Sequence, residues 1–375
     1  MADLFFYGTL CHVPLLETVL GRPRDQIDLA GAALPDHCAV WAAGEAFAIL
    51  QPEKGATTTG LLARGLSTED VERLRYYEGS TVFDLRALPV RTGETSVMAQ
   101  VFFPSPGRWD AGKKWDYQDW VARFGAINTR AATEIMTWYG RMPADDILVR
   151  FESIYRRAAA WVSARERSAQ SGLNVNDVVV HDHRRPYLNF FAVEEMDLQY
   201  RRFDGSLSNV VNRGALIVGQ ASVVLPYDPA RDAVLLVEQF RAPLFMSGDR
   251  APWVWEPVAG LVDAGETPEQ TARRETMEEA GLVLDQLEKA GRVYSSTGSS
   301  SEFLNLFVGI CDLGQVPDEG GGLDSEGEDI RSRIISFDDL MTDVDADRFR
   351  DMPLVTTALW LARHRDRLRT RLADQ

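Results

Sequence analysis

Long apolar runs are missing from this chain of 375 residues. None approaches the roughly 20 residues that a membrane-crossing helix needs, so no membrane partner is expected. Cysteine is scarce: Cys11, Cys38 and Cys311 are scattered and odd in number, which suggests neither a disulfide framework nor a zinc site. Positive charge is in deficit, with 40 Lys and Arg against 56 Asp and Glu. The formal net charge of -16 argues against a nucleic-acid backbone or an anionic membrane surface as the main partner. A small anionic ligand remains open, because a local metal ion or arginine cluster overrides the global field. A secretory leader is not evident either, since Met1 runs directly into a strand-like stretch; the expected location is cytoplasmic. What is present, 45% hydrophobic and 26% charged residues, is ordinary for globular protein, and the length is a soft prior for two domains or more.

The richest stretch is residues 260–282, GLVDAGETPEQTARRETMEEAGL. It opens with a glycine-rich turn. Thr267 and Gln270 form a capping box with Pro268 at the first helical position, and Gly281 suits a left-handed helix end. Glu275, Glu278 and Glu279 fall at i, i+3 and i+4, within one arc of the helix, while Thr276, Met277 and Ala280 fall towards the other side. Three like charges that close require compensation. Either they make a solvated face partly neutralised by Arg273 and Arg274, or they hold one or more hard divalent cations through oxygen.

The spacing of Gly260, Glu266, Arg274, Glu275, Glu278, Glu279, Gly281 and Leu282 resembles the Nudix box, G-x5-E-x7-R-E-U-x-E-E-x-G-U. Thr276, in the first aliphatic slot, is the one departure.

Elsewhere, Leu4-Phe5-Phe6 reads as a buried strand that ends in Tyr7-Gly8-Thr9-Leu10, and further strand-like runs follow as far as Phe103. One helix interrupts them, capped at Ser67 and ending in Tyr76-Tyr77-Glu78-Gly79. A strand followed by YGTL, with a later YEG, resembles the gamma-glutamylcyclotransferase-like family. That resemblance implies a small mixed β-barrel in which the backbone N–H groups of Tyr7, Gly8, Thr9 and Leu10 receive a glutamyl carboxylate. It also implies that Glu78 moves protons, and a carboxyl beside two tyrosines in a partly apolar pocket has its pKa raised towards neutrality. Residues 113–172 read as a helical bridge whose aromatic stripes are core, with the best linker at 168–172. The expected domains are therefore 1–112, 113–172 and 173–375.

From 173 onward, strands and helices alternate as in an α/β (α+β) domain, and the Nudix α/β/α sandwich with a mixed sheet accounts for their order. Phe190-Phe191, Arg213, LPYD at 225–228, EQFR at 238–241, Trp253, EPVAG at 256–260, GSSSE at 298–302 and EGEDI at 326–330 resemble the ADP-ribose pyrophosphatases in order and spacing. This resemblance implies a substrate, a set of ligands and an assembly. Glu275, Glu278 and Glu279, with the carbonyl of Ala259, hold two or three Mg²⁺, for which Mn²⁺ can substitute. Glu326 is the general base, with Glu328 a close second. Arg241 contacts phosphate, Phe190 and Arg213 sandwich the adenine, Glu302 reaches the terminal ribose, and the molecule is a homodimer with exchanged N-terminal strands. Pro257 and Ser296-Thr297-Gly298 depart from the usual pattern without touching a ligand. His181 and His183, at i and i+2, read as part of a solvated turn rather than a metal site.

The expected function is Mg²⁺-dependent cleavage of ADP-ribose to AMP and ribose 5-phosphate, beside gamma-glutamyl chemistry in the first domain. Two alternatives stay open: another nucleoside diphosphate sugar or dinucleotide, such as GDP-mannose or NADH, or a nucleotide-sensing module with an inactive first domain.

Overall fold

The computed structural model describes residues 1–79, 82–167, 172–316 and 329–373. The chain divides into two units, Met1–Gln170 and Ser171–Gln375.

The first unit contains strands β1 (Ala2–Phe6), β2 (Asp28–Ala42), β3 (Ala48–Leu66), β4 (Phe83–Thr92), β5 (Thr95–Pro104) and β6 (Ala111–Lys114). Their order is β3-β1-β5-β4-β2-β6, and a further β2–β3 pairing closes the first five into a barrel. The barrel is mixed, because β1 runs parallel to β5 while its other ladders are antiparallel. β1 is apolar on both faces for a simple reason. Phe5 and Tyr7 join Leu34, Leu62, Val101 and Phe103 on one side, whereas Leu4 and Phe6 face a layer of helices on the other. A strand covered twice reads as a continuous hydrophobic run rather than an alternating one.

The helices of this unit are α1 (Val13–Leu20), α2 (Thr68–Glu78), α3 (Tyr117–Trp120), α4 (Ala126–Thr137), α5 (Ala144–Leu148) and α6 (Phe151–Arg165). Trp120, Phe124 and Ala132 belong to the same cluster as Leu4 and Phe6. The Trp120 indole donates to the Ala46 carbonyl at 2.8 Å, and Tyr117 Oη donates to Cys11 O at 3.1 Å. The helical stretch after residue 113 is thus packed onto the barrel.

In the second unit, β7 (Val178–Leu188), β8 (Ala192–Tyr200) and β9 (Val211–Ile217) form an antiparallel sheet of their own. The main sheet comprises β10 (Gln220–Asp228), β11 (Ala233–Phe240), β12 (Trp253–Glu256), β13 (Val258–Leu261), β14 (Gln286–Tyr294), β15 (Phe303–Ile310) and β16 (Arg331–Ser336). Its main path is β12-β11-β10-β15-β14, with β13 added to β10 and β16 to β11; only β10–β15 is parallel.

The helices of this unit are α7 (Ala242–Met246), α8 (Pro268–Ala280), α9 (Phe337–Asp345) and α10 (Met352–Ala373). Val224, Leu235 and Val237 meet Ala272 and Ala280 of α8 on one face. Leu225, Val234 and Leu236 meet Leu340, Leu354 and Leu361 of α9 and α10 on the other. Alternate residues of the same strands thus feed two cores, which makes the α/β/α sandwich.

Three local readings change. Residues 254–259, whose apolar run reads as one strand leading into the box, are split between two: β12 pairs with β11 and β13 with β10, separated by Pro257, which has no N–H to donate to a ladder. Phe190, which begins a run to Met196 that reads as a strand, lies in the turn between β7 and β8. His181 and His183 lie within β7 rather than in a turn, where they pair with Gln199 (2.8 Å) and Glu194 (2.7 Å) on β8.

Candidate active sites

α8 begins at Thr267, whose hydroxyl accepts from Gln270 N at 3.2 Å while Gln270 Oε1 accepts from Thr267 N at 2.8 Å. It ends at Gly281 with φ 62. Thr276 is fully buried and donates its hydroxyl to the Ala272 carbonyl at 2.7 Å, so the polar residue in an aliphatic slot is satisfied within its own helix. Met277, expected to pack, is 46% exposed; the buried arc is narrower than the residue spacing implies.

Among the described residues, Arg274 engages three glutamates of this region. Its Nη1 donates to Glu275 Oε1 at 2.7 Å and Glu278 Oε2 at 2.9 Å, and its Nε and Nη2 hold Glu266 at 3.2 and 3.1 Å. Burial opposes the guanidinium's charge, but Glu266 and Glu275 overcome this and raise its pKa. Burial also works against ionised Glu266, yet the Arg274 and Thr271 hydrogen bonds leave its pKa lowered. Arg273 points away and donates to the Leu284 carbonyl.

Glu279 is only 2% exposed and accepts from Ala259 N at 3.2 Å. Gly260, next to Ala259, leaves room for Glu275: a Cβ there would lie 1.9 Å from Glu275 Oε1, so the carboxylate would have to move.

The donor set suits a hard divalent cation in kind. Two carboxylate oxygens already converge on one cationic point, the Arg274 nitrogen, with Glu279 on the next helical position. Among the described residues, no three carboxylate, imidazole or thiol groups are gathered closely enough to hold an ion in this arrangement.

Around α8 the remaining expected residues are distributed as follows. Arg241, at the end of β11, is engaged by Glu256 of β12: Nε donates to Oε1 at 2.9 Å and Oε2 at 3.0 Å, and Nη2 to Oε2 at 2.5 Å. Glu302 precedes β15, and its N–H bonds Ser300 Oγ at 3.1 Å. Phe190 is half exposed, edge-on to Phe191 at 4.9 Å, and Arg213 on β9 bonds the Asn212 carbonyl at 2.7 Å. Glu326 and Glu328 lie outside the described residues, as does most of the 168–172 linker.

Two residues near Arg241 are given no role by the sequence: Glu256, within the EPVAG stretch, and Asp351. Asp351 caps α10 by accepting from Leu354 N at 2.8 Å. Burial, with the charges of Glu256 and Glu302 adding to it, pushes its carboxyl up to about 7. The register of β11 against β12 and the start of α10 bring them to Arg241.

In the first unit, Tyr7 is buried and its hydroxyl donates to Phe102 O at 3.0 Å. Burial raises its pKa strongly, with Glu78 and Cys11 adding. Leu10 is core. Between them Gly8 starts a 3-10 turn over Thr9–Cys11, closed by Cys11 N to Gly8 O at 3.1 Å. Ala48 Cβ would be 3.2 Å from any Cβ at Gly8. The N–H groups of Gly8, Thr9 and Leu10 have no acceptor among the described residues. Glu78, the last residue of α2, has no hydrogen-bond or ion-pair partner among them either, and burial pushes its carboxyl up to about 7. Tyr77 is raised by burial first and then by the Glu78 charge. An unpartnered carboxyl that titrates near neutrality is suited to accept and return a proton.

Comparison with known proteins fits this division. The NUDIX domain family matches residues 218–354, and the family described as gamma-glutamyl cyclotransferase, AIG2-like, matches residues 4–122. The ADP-ribose pyrophosphatase of Escherichia coli (strain K12) is 33% identical over 198 residues, 53% of this chain and 94% of that protein. That of Haemophilus influenzae is 38% identical over 161 residues, 42% and 74% of the two chains. The GDP-mannose pyrophosphatase of Cronobacter sakazakii is 30% identical over 167 residues, 44% and 85%. The chain belongs to the Nudix hydrolases and carries a gamma-glutamyl cyclotransferase, AIG2-like domain in the same polypeptide. Nudix hydrolases generally use a divalent metal such as Mg²⁺.

Proposed function

We propose that the second unit hydrolyses the pyrophosphate bond of ADP-ribose, giving AMP and ribose 5-phosphate. The observation that carries this reading is the complete carboxylate set of α8, beside similarity to ADP-ribose pyrophosphatases over nearly their whole length. Glu275, Glu278, Glu279 and the Ala259 carbonyl would hold Mg²⁺, two or three ions, with Mn²⁺ able to substitute. When bound, the metal offsets phosphoryl charge and lowers the pKa of a coordinated water. Around it Arg241 would orient the pyrophosphate, Phe190 and Arg213 would stack the adenine, and Glu302 would fix the terminal ribose. Glu326, with Glu328 as the second choice, would take the proton from the attacking water. A homodimer is part of this reading, and exposed Val178, Val179, Val180 and Tyr187 on the edge strand β7 supply an apolar surface for it. Turnover of ADP-ribose, GDP-mannose and NADH by the full chain, with and without Mg²⁺, tests the assignment. Preference for the guanine nucleotide would replace ADP-ribose, as the GDP-mannose pyrophosphatase relatives allow.

A second activity for the first unit is favoured by Glu78, whose carboxyl is pushed up to about 7 by burial and has no partner among the described residues. The N–H groups of Gly8, Thr9 and Leu10 would receive the α-carboxylate of a gamma-glutamyl amine. Its α-amine attacks the side-chain amide carbonyl, the new C–N bond closes 5-oxoproline, and the old C–N bond breaks. Glu78 carries the proton from the attacking amine to the leaving one. Release of 5-oxoproline from gamma-glutamyl amines by the full chain is the check, and a flat assay removes this second activity.

A further inference from the structure

Arg241 is the residue whose position the local sequence explains least. It follows the last residue of β11 as the N-cap of α7, its backbone N–H is fixed to Pro252 O at 2.8 Å, and from there its long side chain has free torsions. The structure removes that freedom with one partner. Glu256 is 6% exposed, stands on β12 opposite Val237 of β11, and accepts three hydrogen bonds from Arg241. All three use Nε and Nη2, so one edge of the planar guanidinium is consumed and the Nη1 edge is left with no acceptor among the described residues.

Glu279 and Asp351 also lie within electrostatic reach of Arg241. Burial works against the guanidinium's charge, and the Glu256 hydrogen bonds and charge are the largest of the effects that hold it. Asp351 is pinned by the start of α10, where it accepts from Leu354 N.

We propose that Glu256 is a positioning residue for hydrolysis: it fixes the plane of Arg241 so that the free Nη1 edge meets one pyrophosphate oxygen at a set angle. The proposal rests on the reading of Arg241 as the phosphate contact. A bidentate guanidinium presents two parallel N–H bonds on each edge, so occupying one edge with a buried carboxylate orients the other. Glu256 itself touches no substrate. Its effect must pass through Arg241, and this separates it from a residue that merely holds up the sheet.

The test is a double-mutant cycle on the full chain with ADP-ribose and Mg²⁺, read as KM and kcat separately beside melting temperature. Glu256→Gln and Glu256→Asp are each expected to raise KM about tenfold with kcat changed far less, because the contact is to a phosphate present in ground and transition states alike. The aspartate variant keeps the charge and loses the reach, so it separates geometry from electrostatics. In the Arg241→Ala background, Glu256→Gln is expected to add nothing further. A second readout does not involve substrate: the Arg241 Nε–H resonance is expected to exchange slowly in wild type and quickly in Glu256→Gln. If Glu256→Gln raises KM as much without Arg241 as with it, or leaves KM unchanged while wild type is active, the proposal is overturned and the hydrolase reading stands. If wild type cleaves no nucleoside diphosphate derivative, the hydrolase reading fails and the proposal falls with it.

Discussion

The two units keep carboxylates in opposite company. On α8, glutamates crowd around Arg274, which engages Glu266, Glu275 and Glu278 at once. At the end of α2, Glu78 has no partner among the described residues, and burial pushes its carboxyl up to about 7. One guanidinium holds several acids side by side, and its hydrogen bond to Glu266 helps to lower that carboxyl's pKa against burial. Desolvation leaves a single acid undecided between its two protonation states. The first arrangement suits charge neutralisation at a polyanion, the second proton transfer.

Four experiments test that contrast. The largest effect is expected from Glu279→Gln, which removes the charge of the most buried glutamate of α8. Hydrolysis should fall by about two to three orders of magnitude, the scale for losing one preorganised electrostatic group. Melting should barely move, because the amide oxygen can still accept from Ala259 N. Retained activity in a steady-state assay would mean that charge on α8 is not what it is for.

Next is Gly260→Ala. The added Cβ overlaps Glu275 Oε1 and Cδ, atoms of a side chain that can swing aside, so function should suffer more than stability. We expect a fall of about 100-fold in kcat/KM, as for a misplaced catalytic group, with a melting shift of only a few degrees. Equal loss of both would show that the backbone, not Glu275, had moved.

The third concerns pH. Because the folded Glu78 carboxyl is raised above its unfolded value, the native state binds more protons in the window between them. Its contribution to stability is therefore present at low pH and is lost as pH rises towards about 7. The first unit should melt at falling temperature from about pH 5 to 8, and Glu78→Gln should flatten that slope. A scan with identical slopes for wild type and variant would place Glu78 in water, like an ordinary surface acid. The smallest effect belongs to Thr276→Val. Its hydroxyl bonds only a carbonyl of its own helix, so denaturant unfolding should change by about 0.5 kcal/mol or less.

How much could be read in advance followed the range of each interaction. The ends of α8, its capping box and the arc of glutamates are set within one or two helical turns, and local spacing predicts them. The same is true of Ser67, whose hydroxyl accepts from Asp70 N at 3.1 Å. Spacing failed wherever the answer lay across the sheet. Met277 and Thr276 are neighbours on the helix, and only the position of β13 and β10 decides that the threonine is buried and the methionine is not. Glu256 reads as one more residue of the box's leading strand. Its pairing with Arg241 exists because Pro257 ends β12 there and hands the next residues to β10. The proton-shuttling character assigned to Glu78 by its resemblance acquires a physical cause only from the packed shell of Tyr7, Tyr77 and the helices. Glu326 and Glu328, assigned by resemblance, lie outside the described residues.

The closure of the barrel has a consequence for synthesis of the chain. β1 pairs with only two strands: with β3, where Leu4, Phe5 and Phe6 face Ala63, Leu62 and Leu61, and with β5, where Leu4 and Phe5 face Gln100 and Val101. Both partners are made long after it. While a ribosome is still translating the intervening stretch, this apolar strand has neither of its neighbours and neither of its two cores. Ladders between residues so distant in sequence form late, after a costly loop closure. A nascent chain stalled before β5 should therefore be held by chaperones, and one released after the helices that follow should not be.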